Sequence, residues 1–129
     1  MFCDSFNWTA STGSTGFNLI DEAGPDDADY VQAANPPPAA STFTLSDLPA
    51  DVTSVRGLIS LVRAKKTDGG DGNLQVSLQS NSVDDLGADR PITTADTYWW
   101  DVSELSPDTG VAWTPAEVDA AKIKIDRTL

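Results

Sequence analysis

The chain has 129 residues and a formal net charge of −12, from 20 acidic and 8 basic side chains. Hydrophobic residues make up 40%, which suits the core of one domain and is too much for a disordered chain. The acidic balance excludes a nucleic-acid-binding surface, which needs clustered Lys and Arg, and argues against docking on an anionic membrane. With no histidine and a single cysteine, a Ser-His-Asp triad, a His-assisted thiol and an internal disulfide are all ruled out.

In chain order, "MFCDSFNWTA" has neither a basic region nor a long apolar run, so no signal peptide is expected and synthesis falls in a cytoplasm. Cys3 is read as structural. Short strands are expected at Phe6 to Trp8 and Phe17 to Ile20. Next comes "DEAGPDDADY", where Asp21, Glu22, Asp26, Asp27 and Asp29 crowd into nine positions. Calcium takes carboxylate and loop-carbonyl oxygens, so these five acids are a candidate structural Ca²⁺ loop. They lack the EF-hand spacing, and a solvated turn in an acidic protein is the favoured reading. The Asp-rich "TDGGDGN" at 67–73 is a second candidate of the same kind. No other cofactor is expected.

A short strand at Asp29 to Gln32 leads into the rigid connector "NPPPAAS" at 35–41, and another follows at Thr42 to Leu45. "TSVRGLISLVRAKK" is the longest strand candidate. Leu58, Ser60, Val62 and Ala64 share one face, while Val55, Ile59 and Leu61 take the other, followed by Arg63 and Lys65. Both faces are partly apolar, so this is either a central strand or one whose outer face meets a partner. Ile59, Leu61 and Arg63 are therefore partner-contact candidates. "TDGGDGN" reads as a hairpin loop into "NLQVSLQS", whose Leu74, Val76 and Leu78 point inward.

"DDLGADRP" at 84–91 is a loop, and Ile92 to Thr94 a short strand. In "TYWWDVSE", period two sets Tyr98, Trp100 and Val102 against Thr97, Trp99, Asp101 and Ser103. Trp8, Trp100 and Trp113 are assigned to the core, which leaves Trp99 as a surface candidate. The helix signal is "TPAE": Thr114 as cap, Pro115 at the first position, Glu117 closing a capping box, and Trp113 with Val118 as a hydrophobic staple. The helix is expected over Pro115 to Ala121, and "KIKID" follows as the last strand with Ile123 and Ile125 inward.

The whole predicts one all-β domain spanning 1–129, an antiparallel jelly-roll-like β-sandwich with one short helix near the C-terminus. Among 20 acids, no pair stands out as a glycosidase couple, and no enzyme is expected. A Trp on an outer strand could instead stack on a host glycan.

The run "FNWTASTGSTGFNLIDEAGPDDADYV" resembles a segment in a family of structural proteins of tailed bacteriophages. "FTLSDLP", "SVRGLISLVRAKKTDGG" and "DTGVAWTPAEVDAAKIKI" resemble later parts of that family in the same order. Together they cover about Phe6 to Ile125. The outward positions Ile59, Leu61 and Arg63 depart from the family pattern. The resemblance implies a virion β-sandwich module and leaves open whether it sits on the head or the tail. A small, acidic, mostly β chain suits first a capsid decoration (cement) protein on the outer capsid surface. Its implied partners are the major capsid protein or other virion proteins, and copies of itself, with a trimer as one form. A tail or adhesion module binding a host glycan, and a neck or tail component, are the alternatives.

Overall fold

The computed structural model describes residues 2–12, 24, 27–34 and 36–129. The expected strand at Phe17 to Ile20 lies outside them. Ten strands and one helix follow in order: β1 (Phe2–Ser5), β2 (Thr9–Ala10), β3 (Val31–Gln32), β4 (Ser41–Thr44), β5 (Leu58–Ala64), β6 (Asn73–Ser80), β7 (Val83–Asp85), β8 (Arg90–Pro91), β9 (Thr97–Ser103), α1 (Pro115–Asp119) and β10 (Lys122–Arg127). The pairings between these strands are all antiparallel, and among the described residues the fold is all-β apart from α1.

The main sheet runs β1-β4-β10-β6-β7, with β8 also on β6. Its two faces follow from period two. Phe43, Leu74, Val76 and Leu78 are buried on the inner face, and Ile123 and Ile125 pair with Leu78 and Val76 there. The outer face is polar, with the Lys124 ammonium 2.7 Å from the Asp84 carboxylate and the Gln79 amide donating to Asp84 at 2.7 Å. β1 meets β4 with a register shift between Cys3 and Ser5. There the buried Ser41 hydroxyl accepts the backbone N–H of Asn7 (3.0 Å) and of Trp8 (3.2 Å). Those residues turn a corner between β1 and β2, so the strand expected at Phe6 to Trp8 is instead the bend between two shorter ones.

β5 and β9 form a separate two-stranded ribbon in register from Leu58↔Ser103 to Ala64↔Thr97. Its inner side chains Val62, Ala64 and Trp99 pack with Leu74, Val76, Ile123 and Ile125 of the main sheet, and Trp8 and Ile92 close the cluster. The 67–73 segment is therefore not a hairpin loop. It carries the chain from the ribbon to the main sheet, because β5 pairs with β9 while β6 pairs with β10, β7 and β8. Ile92 to Thr94 forms no strand either. The Ile92 N–H donates to the Gly72 carbonyl and the Thr93 carbonyl accepts from Lys66 N–H, both at 2.8 Å, tying down the two ends of that crossing.

The true tight hairpin joins β6 to β7 through Asn81 and Ser82, both at positive φ (48° and 69°). Such a two-residue turn matches the right-handed strand twist. Beyond β7 the chain bypasses the middle of β6 before pairing again as β8. Gly87 sits so close to β6 that an added Cβ would lie 2.0 Å from the Val76 carbonyl oxygen.

A second cluster, Trp113, Val118 and Ala121, packs with Leu45, Leu48, Val55 and Leu58. Val55 thus belongs to this cluster rather than to the outer face of the long strand. The helix begins as its sequence dictates. Thr114 Oγ1 accepts from the Glu117 N–H at 3.2 Å, and the Glu117 carboxylate accepts from the Thr114 N–H at 2.8 Å. α1 stops at Asp119, whose carboxylate accepts the Leu48 N–H at 2.7 Å.

Candidate docking face on β5 and β9

An ordinary outer strand turns its less apolar face to water. The ribbon reverses this. Cross-strand partners Ile59 and Val102 are 65% and 57% exposed, and Leu61 and Trp100 are 80% and 64% exposed. Arg63 pairs with Tyr98, which is 61% exposed. These six positions alternate out of the ribbon on the side away from the main sheet.

The assignment of the adjacent tryptophans is corrected here. Trp99, expected at the surface, is 6% exposed, and Trp100, expected in the core, lies outside. The inward set of β9 is the more polar one, and Asp101 and Ser103 each have a partner. Asp101 is 3.0 Å from Arg90, which also stands over the Trp99 ring at 5.9 Å. The Ser103 hydroxyl donates to the Leu105 carbonyl at 3.1 Å. The satisfaction is partial, since Asp101 Oδ2, Trp99 Nε1 and Arg90 Nε are buried without a hydrogen-bond partner, yet the more apolar set of β9 faces out. Trp113 is buried, and Trp8 is partly buried against the main cluster.

One end of the face is ionic. Arg63 lies 2.6 Å from Asp27 and 3.0 Å from Asp96, and its guanidinium covers the Tyr98 ring at 5.6 Å. Lys65 is 3.7 Å from Asp96. The hydrogen bond from Arg63 holds the Asp96 carboxyl below its ordinary value, against a smaller opposing effect of burial, with the charges of Arg63 and Lys65 adding to the lowering. Two cations and two carboxylates thus close this end with no net charge.

Of the candidate calcium ligands, Asp21, Glu22 and Asp26 lie outside the described residues. Asp27 is the Arg63 partner, and Asp29 is half-buried beside Tyr30. In the 67–73 segment, the Lys66 ammonium donates to the Gly70 carbonyl, and Asp68 accepts the Gly70 N–H at 3.2 Å. Among the described residues, no three His, Cys, Asp or Glu side chains are grouped to hold a metal.

Ile59, Leu61 and Arg63 stand together as the sequence grouped them, and the face adds Tyr98, Trp100 and Val102. The missing signal was register: once Leu61 faces out, its cross-strand partner must face out too. The face can bury apolar area against another surface. It offers few hydrogen-bonding groups away from its ionic end. No family model, curated protein or solved structure matches the chain.

Proposed function

We propose that this chain is a non-enzymatic structural protein of a tailed-bacteriophage particle, foremost a decoration protein on the outer capsid surface. In this proposal the main sheet and the β5–β9 ribbon are the two layers of a jelly-roll-like sandwich, and the chain works by being held in an assembly. The observation that carries it is the outward apolar face of β5 and β9. Leu61 at 80% exposed and Trp100 at 64% exposed each forgo roughly 1.5–3 kcal/mol that full burial would supply. Contiguous apolar surface of this kind marks an interaction site. The resemblance of its motifs, in order, to those of phage structural proteins supports the same reading.

The alternative is a tail-associated module that stacks Tyr98 and Trp100 on a host glycan. It draws on two exposed aromatic rings two residues apart on one face. The interleaved Ile59, Leu61 and Val102 give a sugar's hydroxyls nothing to bond, which favours a protein surface.

The test is to quantify the chain against the major capsid protein in purified particles by mass spectrometry. One copy per capsid subunit, or per few, is expected. A handful of copies per particle would transfer the proposal to the tail or a vertex. Absence from the particle would overturn it.

A further inference from the structure

We infer that the β5–β9 face is closed by a second copy of this chain, the two ribbons packing outer face to outer face. The inference rests on the face being a protein-docking surface and names its occupant.

The first ground is area. Ile59, Leu61, Tyr98, Trp100 and Val102 are 57–80% exposed. For side chains of this size that leaves about 600 Å² of contiguous surface, at the top of what a monomer ordinarily keeps in water. Two such faces, if fully covered, bury about 1,200 Å², the lower edge of the range for stable specific interfaces. No further element is needed to complete the contact. An isologous pair also meets its own composition: aliphatic and aromatic side chains in the centre, mixed charges at the ends.

The second ground is charge. The chain carries −12 overall, yet residues 52–67 contain four cations and no acid. On the face itself, Arg63 and Lys65 are balanced by Asp27 and Asp96. A basic partner would be drawn to the acidic remainder of the molecule, where the complementary charge lies. A strongly acidic partner would meet cations already paired. A locally neutral apolar face is the part of a −12 chain that can meet its own copy without opposing like charges directly.

This fixes a salt dependence. The like net charge of two copies is felt at long range and is screened over about 8 Å at physiological ionic strength. Self-association therefore strengthens as salt is added, whereas docking of the acidic chain on a basic partner weakens.

The experiment is sedimentation equilibrium of the full chain over a concentration series, at low and high salt. The set comprises wild type, Leu61→Asp, Trp100→Asp and the control Val83→Asp on the far β6–β7 hairpin. Circular dichroism verifies folding, and binding to purified particles is measured in parallel. Wild type and Val83→Asp are expected at twice the 13.7 kDa of one chain, more so at high salt. Leu61→Asp and Trp100→Asp should dissociate on the order of a hundredfold more readily, since an isologous contact counts each substitution twice. Trp100 emission should shift to the blue with concentration in wild type. A single-chain mass at every concentration, or a dimer indifferent to both substitutions, overturns the second copy as occupant. If the wild type is a single chain and Leu61→Asp loses particle binding, the docking face survives with a different partner. If neither mass nor particle binding responds, the docking face falls as well.

Discussion

Adding one methyl group at Gly87 should unsettle the fold more than its size suggests. The new Cβ would lie 2.0 Å from the Val76 carbonyl oxygen and 3.1 Å from the Asp101 carboxylate. Carbon and carbonyl oxygen need about 3.3 Å, so one backbone must retreat by roughly 1 Å or more. β6 cannot be the one that yields. Val76 is 3% exposed and is held in register with Ile125 of β10. The 86–89 segment must lift instead, which stretches the 2.9 Å bond from the Gln75 amide to the Gly87 carbonyl. Overpacking of this kind costs about 1–3 kcal/mol and the hydrogen bond about 1 more. A loss of roughly 2–4 kcal/mol lowers Tm by about 10 °C or more in a chain of this size. Urea unfolding of Gly87→Ala, followed by circular dichroism and tryptophan fluorescence, measures it. Gly110→Ala is the comparison: φ is +70° there and nothing lies within 4 Å of the new Cβ, so only backbone strain of about 1 kcal/mol is at stake. If Gly87→Ala costs no more than Gly110→Ala, the close approach to Val76 is not what holds that segment.

Ser41→Ala should cost about 1–3 kcal/mol in unfolding experiments, because it strips an acceptor from two backbone N–H groups at the β1–β2 corner. Thr114→Ala should cost about 1 kcal/mol, and Glu117→Ala should add little once Thr114 is gone, since the two close one box. The side chains with lowered pKa predict acid lability. Burial pushes Asp84 up, but hydrogen bonds from Lys124 and Gln79 leave it below its ordinary value. Thr128 and Asn73 lower Asp89, Arg63 lowers Asp96, and Thr114 lowers Glu117. Carboxylates depressed in the folded state stabilise it fully above the ordinary values of 3.8 and 4.5, and that contribution fades as pH falls through the lower folded values. A stability–pH series should fall away on the acid side of that window, and Asp84→Asn should make the fall shallower. An unchanged slope in the variant would remove Asp84 from the account.

The elements that depend on local chemistry were legible. β6 and β10 run where their alternation placed them, to the residue or nearly so, although Ser77 of the outward set is buried, and Thr114, Pro115 and Glu117 specify the start of α1 without help from the rest of the chain. Pairing choices were not legible. Nothing in "TDGGDGN" distinguishes a hairpin from a passage between sheets, because the decision lies with β9, which lies 24 residues beyond Asn73. The Asn81–Ser82 turn lacks the glycine that would announce it. Trp99 and Trp100 show the strongest override. Period two separated their faces correctly, but the assumption that the more apolar face turns inward chose the wrong one. Arg90 and Leu105 partner one oxygen of Asp101 and the Ser103 hydroxyl inside, which offsets part of the cost of turning them inward, while Trp100 and Val102 stand outside. A local rule broken with its compensation in view is where function is to be sought.

The position of β10 has a consequence for how the molecule comes into being. Lys122–Arg127 lies between β4 and β6 in the middle of the main sheet. Until those residues have been synthesised, β4 has no central neighbour, and the nascent chain holds β6 with one long edge unpaired. An open edge of this kind invites strands from other chains. The step that completes the sheet brings together partners separated by most of the polypeptide, which makes it slow among elementary folding events. Sheet closure therefore waits on the synthesis of β10, and shortening the chain ahead of Lys122 should yield aggregates rather than a smaller version of the same fold.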